Sequence, residues 1–212
     1  MPSLPKITLS TERLVLRPIG ADDAPALYGI YSDPETMRYW SSPPWEQLAQ
    51  AEAHVAATLA GYEDGSIFTL GIALRETGEL VGACRLHHFN PQNRRCEMGY
   101  ILSRAHWGKG YMQEALAAAI GHSLEAFDLH RIEADVDPRN AGSAALLKRL
   151  HFVHEGHLRQ RWIVNGEICD TDFFGLLRAD WEAARGELAA NKPAQFGTGS
   201  APLIPQKRRF VG

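Results

Sequence analysis

One stretch constrains this chain more than any other: Glu97-Met-Gly-Tyr-Ile-Leu-Ser-Arg-Ala-His-Trp-Gly-Lys-Gly-Tyr-Met-Gln-Glu-Ala. A short apolar strand meets two glycines, Gly108 and Gly110, and passes at once into a helix. The first amides of a helix have no intrahelical partner and the aligned peptide dipoles leave partial positive charge there, so such a turn binds an anion without a dedicated lysine. The glycines permit positive φ and close approach of a ligand to the backbone. Neither Gly-x-x-x-x-Gly-Lys-[Ser/Thr] nor Gly-x-Gly-x-x-Gly after a strand is present, so the P-loop and the dinucleotide fingerprint are both unmet.

Periodicity supplies the elements around this turn. Beyond it, Met112, Leu116, Ile120, Leu124 and Phe127 recur at helical spacing and form one apolar face. Between Arg131 and Asp137, Ile132, Ala134 and Val136 alternate with Glu133, Asp135 and Asp137, which predicts a strand with a core face and a carboxylate face. A helix is expected from Asn140 to Leu150, then a strand from Phe152 to about Ile163, a hairpin turn at Asn165-Gly166 and a strand from Asp172 to Leu177. A last helix covers about Ala179 to Ala190. Upstream, the reading gives a strand from Leu14 to Pro18, a helix opened by Asp22-Asp23 and ending near Tyr31, and a loop over Trp40-Ser-Ser-Pro-Pro-Trp45. A second helix follows over about Glu46 to Tyr62, with Leu48, Val55 and Leu59 inward. Then comes a meander of Phe68 to Leu74, Leu80 to Phe89 and Arg95 to Leu102.

At 212 residues the chain can bury one substantial core, and it reads as one domain over 1–190 with an irregular tail over 191–212. A formal charge of -3 and a pI near 6.3 argue against a nucleic-acid surface. No signal segment and no apolar run near the ~20 residues of a membrane span is present, so no membrane partner is expected. The three cysteines, Cys84, Cys96 and Cys169, form no Cys-x-x-Cys pair, which fits a reducing cytoplasm. Cys84, His87, His88, Cys96 and His106 lie close in sequence, but on a strand Cys84 and His87 point to opposite faces, so no metal is expected.

A second strand–turn–helix, Arg131-Ile-Glu-Ala-Asp-Val-Asp-Pro-Arg-Asn-Ala-Gly-Ser through Phe152, repeats the arrangement of the glycine turn. Ahead of both stand Thr11-Glu-Arg-Leu-Val-Leu-Arg-Pro, Asp23, Tyr31-Ser-Asp-Pro-Glu and Met37-Arg-Tyr-Trp; after them stand Asp170, Phe173-Phe174 and Trp181. Over roughly residues 9 to 182 the chain resembles the GNAT superfamily of acetyl-CoA-dependent N-acyltransferases, in the branch of ribosomal-protein N-terminal and diamine acetyltransferases. The resemblance implies an α+β fold, with a central, mostly antiparallel twisted sheet of six to seven strands flanked by helices on both faces. It implies acetyl-CoA as donor, its pyrophosphate on the backbone of Trp107, Gly108, Lys109, Gly110, Tyr111 and Met112. Pantetheine would run beside Ile101, Leu102 and Ser103, with an N–H near Leu102 as oxyanion donor. Lys109 either adds a phosphate contact or is solvated.

Asn140 either caps its helix or holds the pantetheine amide, and Ser143 either is an ordinary first-turn residue or donates to the departing sulfur. Three departures from the family pattern stand out: Ala105 replaces the usual Gln or Arg, Leu147 replaces a tyrosine that often protonates the thiolate, and Trp162 stands where some members carry a carboxylate. The general base is therefore sought at Glu97 first and Asp135 second, and the acid at Ser143 or a water. Tyr39, Trp40, Trp45 and Trp162 are the candidates for the pocket of an amine or peptide amino terminus. A non-catalytic acyl-CoA-binding protein remains the alternative, and a homodimer is left open.

Overall fold

In the computed structural model, which describes residues 4–190, eight strands form one sheet in the order β1-β2-β3-β4-β5-β6-β8-β7. In chain order they are β1 (Leu9–Ser10), β2 (Leu14–Pro18), β3 (Phe68–Leu74), β4 (Leu80–Asn90), β5 (Arg95–Leu102), β6 (Arg131–Val136), β7 (Val153–Val164) and β8 (Glu167–Leu177). The helices are α1 (Ala24–Tyr31), α2 (Pro34–Met37), α3 (Leu48–Asp64), α4 (Tyr111–Ala126), α5 (Ala141–Arg149) and α6 (Arg178–Ala190). No helix among the described residues is long and apolar enough to cross a membrane.

Each face of the sheet buries its own core. Cys84, Leu86, Met98, Ile132 and Ala134 pack against Leu116 and Ile120 of α4, Leu147 of α5 and Trp181 of α6. On the other face Ala83 and Ile101 pack against Leu27 of α1 and Val55 of α3. The alternation of the strands thus sends odd-numbered residues of β5 and β6 to the side of α1 and α3, where Glu97, Glu133 and Asp135 lie.

Every neighbouring pair is antiparallel except β5 and β6. These two run parallel and pair only at Arg95↔Arg131, Cys96↔Ile132 and Glu97↔Glu133. Beyond that register they part, and a gap opens between Met98–Leu102 and Ala134–Val136. Glu133, only 8% exposed, fastens the strands where they divide: it accepts from Arg95 Nη1 at 2.5 Å and from Arg131 Nε at 2.7 Å. Arg131 in turn reaches Glu155 on β7.

A second clamp joins β2 to the start of α4. Glu114 accepts from the Thr11 hydroxyl at 2.6 Å, from the Arg13 amide at 2.8 Å and from Arg13 Nε at 2.6 Å. Burial opposes ionisation of this carboxyl, but the bonds from Thr11 and Arg13 outweigh it and hold the group below the usual carboxylate range.

Where the sequence reading and the structure differ, the reasons are local. The sheet has eight strands rather than six or seven because β1 is a two-residue edge, too short to show alternation. β8 begins at Glu167, not Asp172: Asn165 and Gly166 both take positive φ in the hairpin turn, and pairing starts directly after it through exposed residues without a core-facing period. Asp22-Asp23 form a 3-10 turn ahead of α1, because Asp23 is drawn back to Arg17 by two bonds of 2.8 and 2.7 Å. α2 was not anticipated; its cap is Asp33, which accepts from the Thr36 amide at 3.0 Å. Leu48, expected inward, opens α3 and is 41% exposed. The tail over 191–212 lies outside the described residues.

The Glu114 clamp carries a pH signature. A carboxyl whose pKa is lowered on folding stabilises the fold above its unfolded value of ~4.3 and ceases to do so as pH falls through its folded value. Glu114→Gln should cost about 1.5–3 kcal/mol at pH 7, the range for hydrogen bonds to an ionised group. The difference from wild type should shrink below about pH 4 in denaturant titrations at several pH values.

Candidate active site

The glycine turn is built of backbone and held by Arg13. Gly108 and Gly110 have φ of 72° and 77°, and Gly110 is the residue from which α4 departs. Arg13 donates from Nη1 to the Lys109 carbonyl at 2.8 Å, and its guanidinium lies 4.7 Å from the centre of the Tyr111 ring. The amides at the start of α4 are thereby fixed with no intrahelical acceptor, as an anion site requires. Met112 contributes backbone only, since its side chain is buried in the core. The Lys109 side chain makes no ion pair among the described residues. Sequence reasoning missed Arg13 and Glu114 because a clamp across a hundred residues leaves no local pattern.

At the end of β5 the Ser103 amide bonds Val81 of β4 at 2.8 Å, and Ile101 is buried on the α1 face. The Leu102 carbonyl accepts from the Trp107 indole N–H at 2.7 Å. That carbonyl therefore faces away from β4, and in an extended antiparallel strand the amide of the same residue faces the same edge. The Leu102 N–H thus points into the gap. Trp107 folds back over the strand end and remains 47% exposed.

Across the gap, α5 begins at Asn140, whose Oδ1 accepts from the Ser143 amide at 3.0 Å. Asn140 thus caps α5, and its Nδ2 donates to no group among the described residues. Ser143 Oγ lies 2.6 Å from the Tyr100 hydroxyl. Burial pushes the Tyr100 phenol up to about 12, against a smaller opposing effect of the Ser143 bond, so it is protonated at neutral pH. The chain thus supplies from β5 a tyrosine beside Ser143, although Leu147 occupies the helical position where the family pattern has one.

A cavity of about 510 Å³ opens on the α1 face beneath this gap. Glu97, Asp135, Asn140 and Ser143 all line it. Glu97 Oε2 lies 3.0 Å from His88 Nδ1, while Arg95 is engaged with Glu133. Asp135 Oδ1 is buried with no partner, while Oδ2 is 3.4 Å from Arg161 Nε. Burial raises the Asp135 pKa against the lowering pull of Arg161, and the neighbouring charges of Glu97 and Glu133 raise it further.

A bulge in β4, with His88 at φ 50°, brings His87 and His88 to the same side, and their ring nitrogens lie with a Glu97 oxygen within 4.8 Å of one another. Cys84 and Cys96 face the opposite core, where burial pushes both thiols up to about 12.

Of the aromatic candidates, Trp40 and Trp45 share a wall whose centre is Tyr31, a residue the sequence did not propose for the pocket. Trp45 stacks on Tyr31 at 4.3 Å and Trp40 meets its edge at 5.5 Å. Tyr39 lies within 6 Å of the guanidinium groups of both Arg38 and Arg139, at 5.6 and 5.9 Å. Trp162 of the hairpin closes the far side and is 39% exposed. The hairpin does carry carboxylates into the cavity, from β8 rather than from the position of Trp162: Glu167, paired with Arg139, and Asp170, bonded to His157 at 3.1 Å.

The sheet is thus divided between two parallel strands, with a glycine turn of free helix amides at one end of the gap and a carboxylate-lined cavity on one face. The sequence profile of the acetyltransferase (GNAT) domain matches residues 13–153. The chain is 36% identical over 174 residues to an uncharacterized N-acetyltransferase, p20, of Bacillus licheniformis, spanning 82% of this chain and 98% of that one. It is 29% identical to the [ribosomal protein uS5]-alanine N-acetyltransferase of Escherichia coli, spanning 86% and 97%. Its fold superposes with a TM-score of 0.73, at 23% identity and covering 81% and 99%, on the spermidine N-acetyltransferase of Vibrio cholerae solved with CoA and spermine. The chain belongs to the GNAT acetyltransferase family.

Gly110 offers a direct probe of the turn. A Cβ there would stand 3.4 Å from Arg13 Nη2 on a backbone that side chains rarely adopt. Gly110→Glu should abolish the rise in Tm that CoA gives the wild type by linkage, because it adds strain and a negative charge where phosphate binds. Calorimetry with CoA measures this, and an unchanged Kd would remove the anion from this turn.

Proposed function

We propose that this protein transfers an acetyl group from acetyl-CoA to a primary amine, a peptide amino terminus or a small amine, by direct attack through a tetrahedral intermediate. The observation that carries the reading is the gap between β5 and β6, which joins the glycine turn to the carboxylate-lined cavity through the middle of the sheet. A donor lying along Met98–Leu102 would present its thioester at the Leu102 amide, and an amine in the cavity would approach from the other side. The fixed amide stabilises the oxyanion that forms, and holding both reactants in line removes much of the entropic barrier.

An acceptor amine is protonated at neutral pH, with pKa ~8 for an α-amino group and ~10 for an alkyl amine. Asp135 is our choice to receive its proton: its free oxygen is buried, its neighbours raise its proton affinity, and it faces the cavity. Glu97, ranked first in the sequence, has the His88 ring 3.0 Å away and shapes the field beside Asp135. On collapse of the intermediate the C–S bond breaks and the thiolate takes a proton from Ser143, which takes one in turn from the Tyr100 hydroxyl; the proton released by the acylated nitrogen returns through solvent to Tyr100. Asn140 Nδ2 would hold a pantetheine carbonyl.

Thiol release from acetyl-CoA with a panel of amines and short peptides tests the reading; binding of acetyl-CoA with no release for any acceptor would leave only a non-catalytic acyl-CoA-binding protein. Asp135→Asn should lower kcat/KM by ~10² or more, as loss of a general base does, and Glu97→Gln by less. Because burial raises the Asp135 pKa, wild-type kcat/KM should fall on acidification with a midpoint above the ~3.9 of a free aspartate, and this limb should vanish in Asp135→Asn. Equal small effects would assign deprotonation to solvent.

If Tyr100 resupplies Ser143, the two act as one unit. Ser143→Ala and Tyr100→Phe should each lower kcat with little change in KM for acetyl-CoA, and the double variant should lose little more than the worse single one. Additive losses would separate the two groups.

A further inference from the structure

The floor of the acceptor cavity holds an unpaired cation. Arg85 stands in the middle of β4, half-buried, and makes no hydrogen bond or ion pair among the described residues. Its Nε is buried without an acceptor. Opposite it in register on β3 is Thr69, which is 1% exposed and whose hydroxyl is also without a partner. Both side chains line the cavity, together with Tyr31 and His54 from the helices above and His87 from the same strand.

None of these neighbours is an anion. Burial, and then the charge of Arg85, lowers the pKa of His54, and the same two causes bring that of His87 to about 4, so both are neutral at pH 7. Burial keeps the Tyr31 phenol protonated. A half-buried guanidinium without a counter-ion, beside a buried hydroxyl without a partner, is costly unless a ligand completes it. Guanidinium is also the group that best receives a carboxylate by two parallel bonds.

The position matters as much as the charge. Arg85 is paired with Gly99, and His87 with Glu97, so Arg85 and Glu97 are diagonal neighbours on one face, about 7–8 Å apart at Cα. Neutral His87 stands between them. The cavity therefore has a negative end at Glu97 and Asp135, under the gap, and a positive end at Arg85, deeper in the floor.

We propose that the acceptor is an amine that carries its own carboxylate a few bonds away, with the amine at Asp135 and Glu97 and the carboxylate on Arg85 and Thr69. This deepens the acetyl-transfer reading and rests on it. It selects against polyamines, whose second ammonium would meet Arg85. The carboxylate could belong to a free amino acid or to an acidic side chain beside a peptide amino terminus, and the experiment separates these sources.

The test compares kcat/KM for the peptides Ala-Asp-Phe-amide and Ala-Asn-Phe-amide, for free glutamate and glutamine α-amide, which lacks both carboxylates, and for spermidine. The acidic member of at least one pair should be preferred by ~10-fold or more, since a site built to bond a group rejects the analogue lacking it. A preference in the peptide pair alone assigns a peptide, and in the amino-acid pair alone a free amino acid. Arg85→Gln should bring that ratio to within ~2-fold, while Arg85→Lys keeps part of it. Folding of the variants is checked by circular dichroism and by their CoA-induced Tm shift.

Calorimetry with CoA present, using the acetylated forms of both peptides, of glutamate and of glutamine α-amide, gives a readout independent of turnover. Tighter binding of an acidic product by wild type but not by Arg85→Gln supports the proposal even if no acceptor releases thiol, a result that would overturn only the acetyl-transfer reading. Turnover with no charge preference, a preference unchanged in Arg85→Gln, or spermidine as the best acceptor would overturn the carboxylate assignment alone.

Discussion

The arrangement rests on the point where β5 and β6 stop pairing. Parallel strands lose hydrogen bonds when they part, so the divergence must be held from elsewhere. Glu133 does this at the apex, gathering Arg95 from one strand and Arg131 from the other at the last shared register, nearly out of water. An ionised carboxylate so placed is tolerable because both oxygens are engaged by guanidinium groups; removing either arginine would leave the carboxylate partly stranded. Past this point the sheet offers an open backbone edge on β5 and a helix start on the other side, and everything proposed about chemistry uses that opening.

The second dependence is on polar groups left unused. Most charged side chains in the cavity or at its rim are spoken for: Glu167 by Arg139, Asp170 by His157 and Gln160, Glu97 by His88. Against that background the buried atoms without partners are informative. Asp135 Oδ1, Arg85 Nε and Thr69 Oγ1 all line one cavity, one acidic and two capable of completing a bond to an anion. Buried polar atoms of a folded protein are nearly always satisfied, and these three on one cavity are the groups that the proposed acceptor would complete.

Much of this was legible in the sequence, and what was not has a common physical cause. The glycine turn, the three-carboxylate face of Glu133, Asp135 and Asp137, the Asn140 cap and the Asn165-Gly166 hairpin are all local patterns written within a few residues of each other. Arg13 holding Lys109, Tyr100 reaching Ser143 and Tyr31 beneath Trp45 join elements far apart in the chain, so no spacing rule announces them. Arg85 is different again: an arginine in the apolar run Leu80-Val-Gly-Ala-Cys-Arg-Leu is a local anomaly, and its meaning appeared only when the face opposite proved to hold no acid. The bulge that gathers His87 and His88 beside Glu97 breaks the alternation on which strand reasoning depends.

The central claim is that the donor lies in the opening of the sheet, and amide hydrogen exchange followed with and without CoA tests it most directly. The amides of Met98–Leu102 and of Gly108–Met112 should gain protection together on binding, while β1, β2 and the outer end of the β7–β8 hairpin exchange as before. Protection confined to the hairpin, or spread evenly over the sheet with no gain at either segment, would contradict the account.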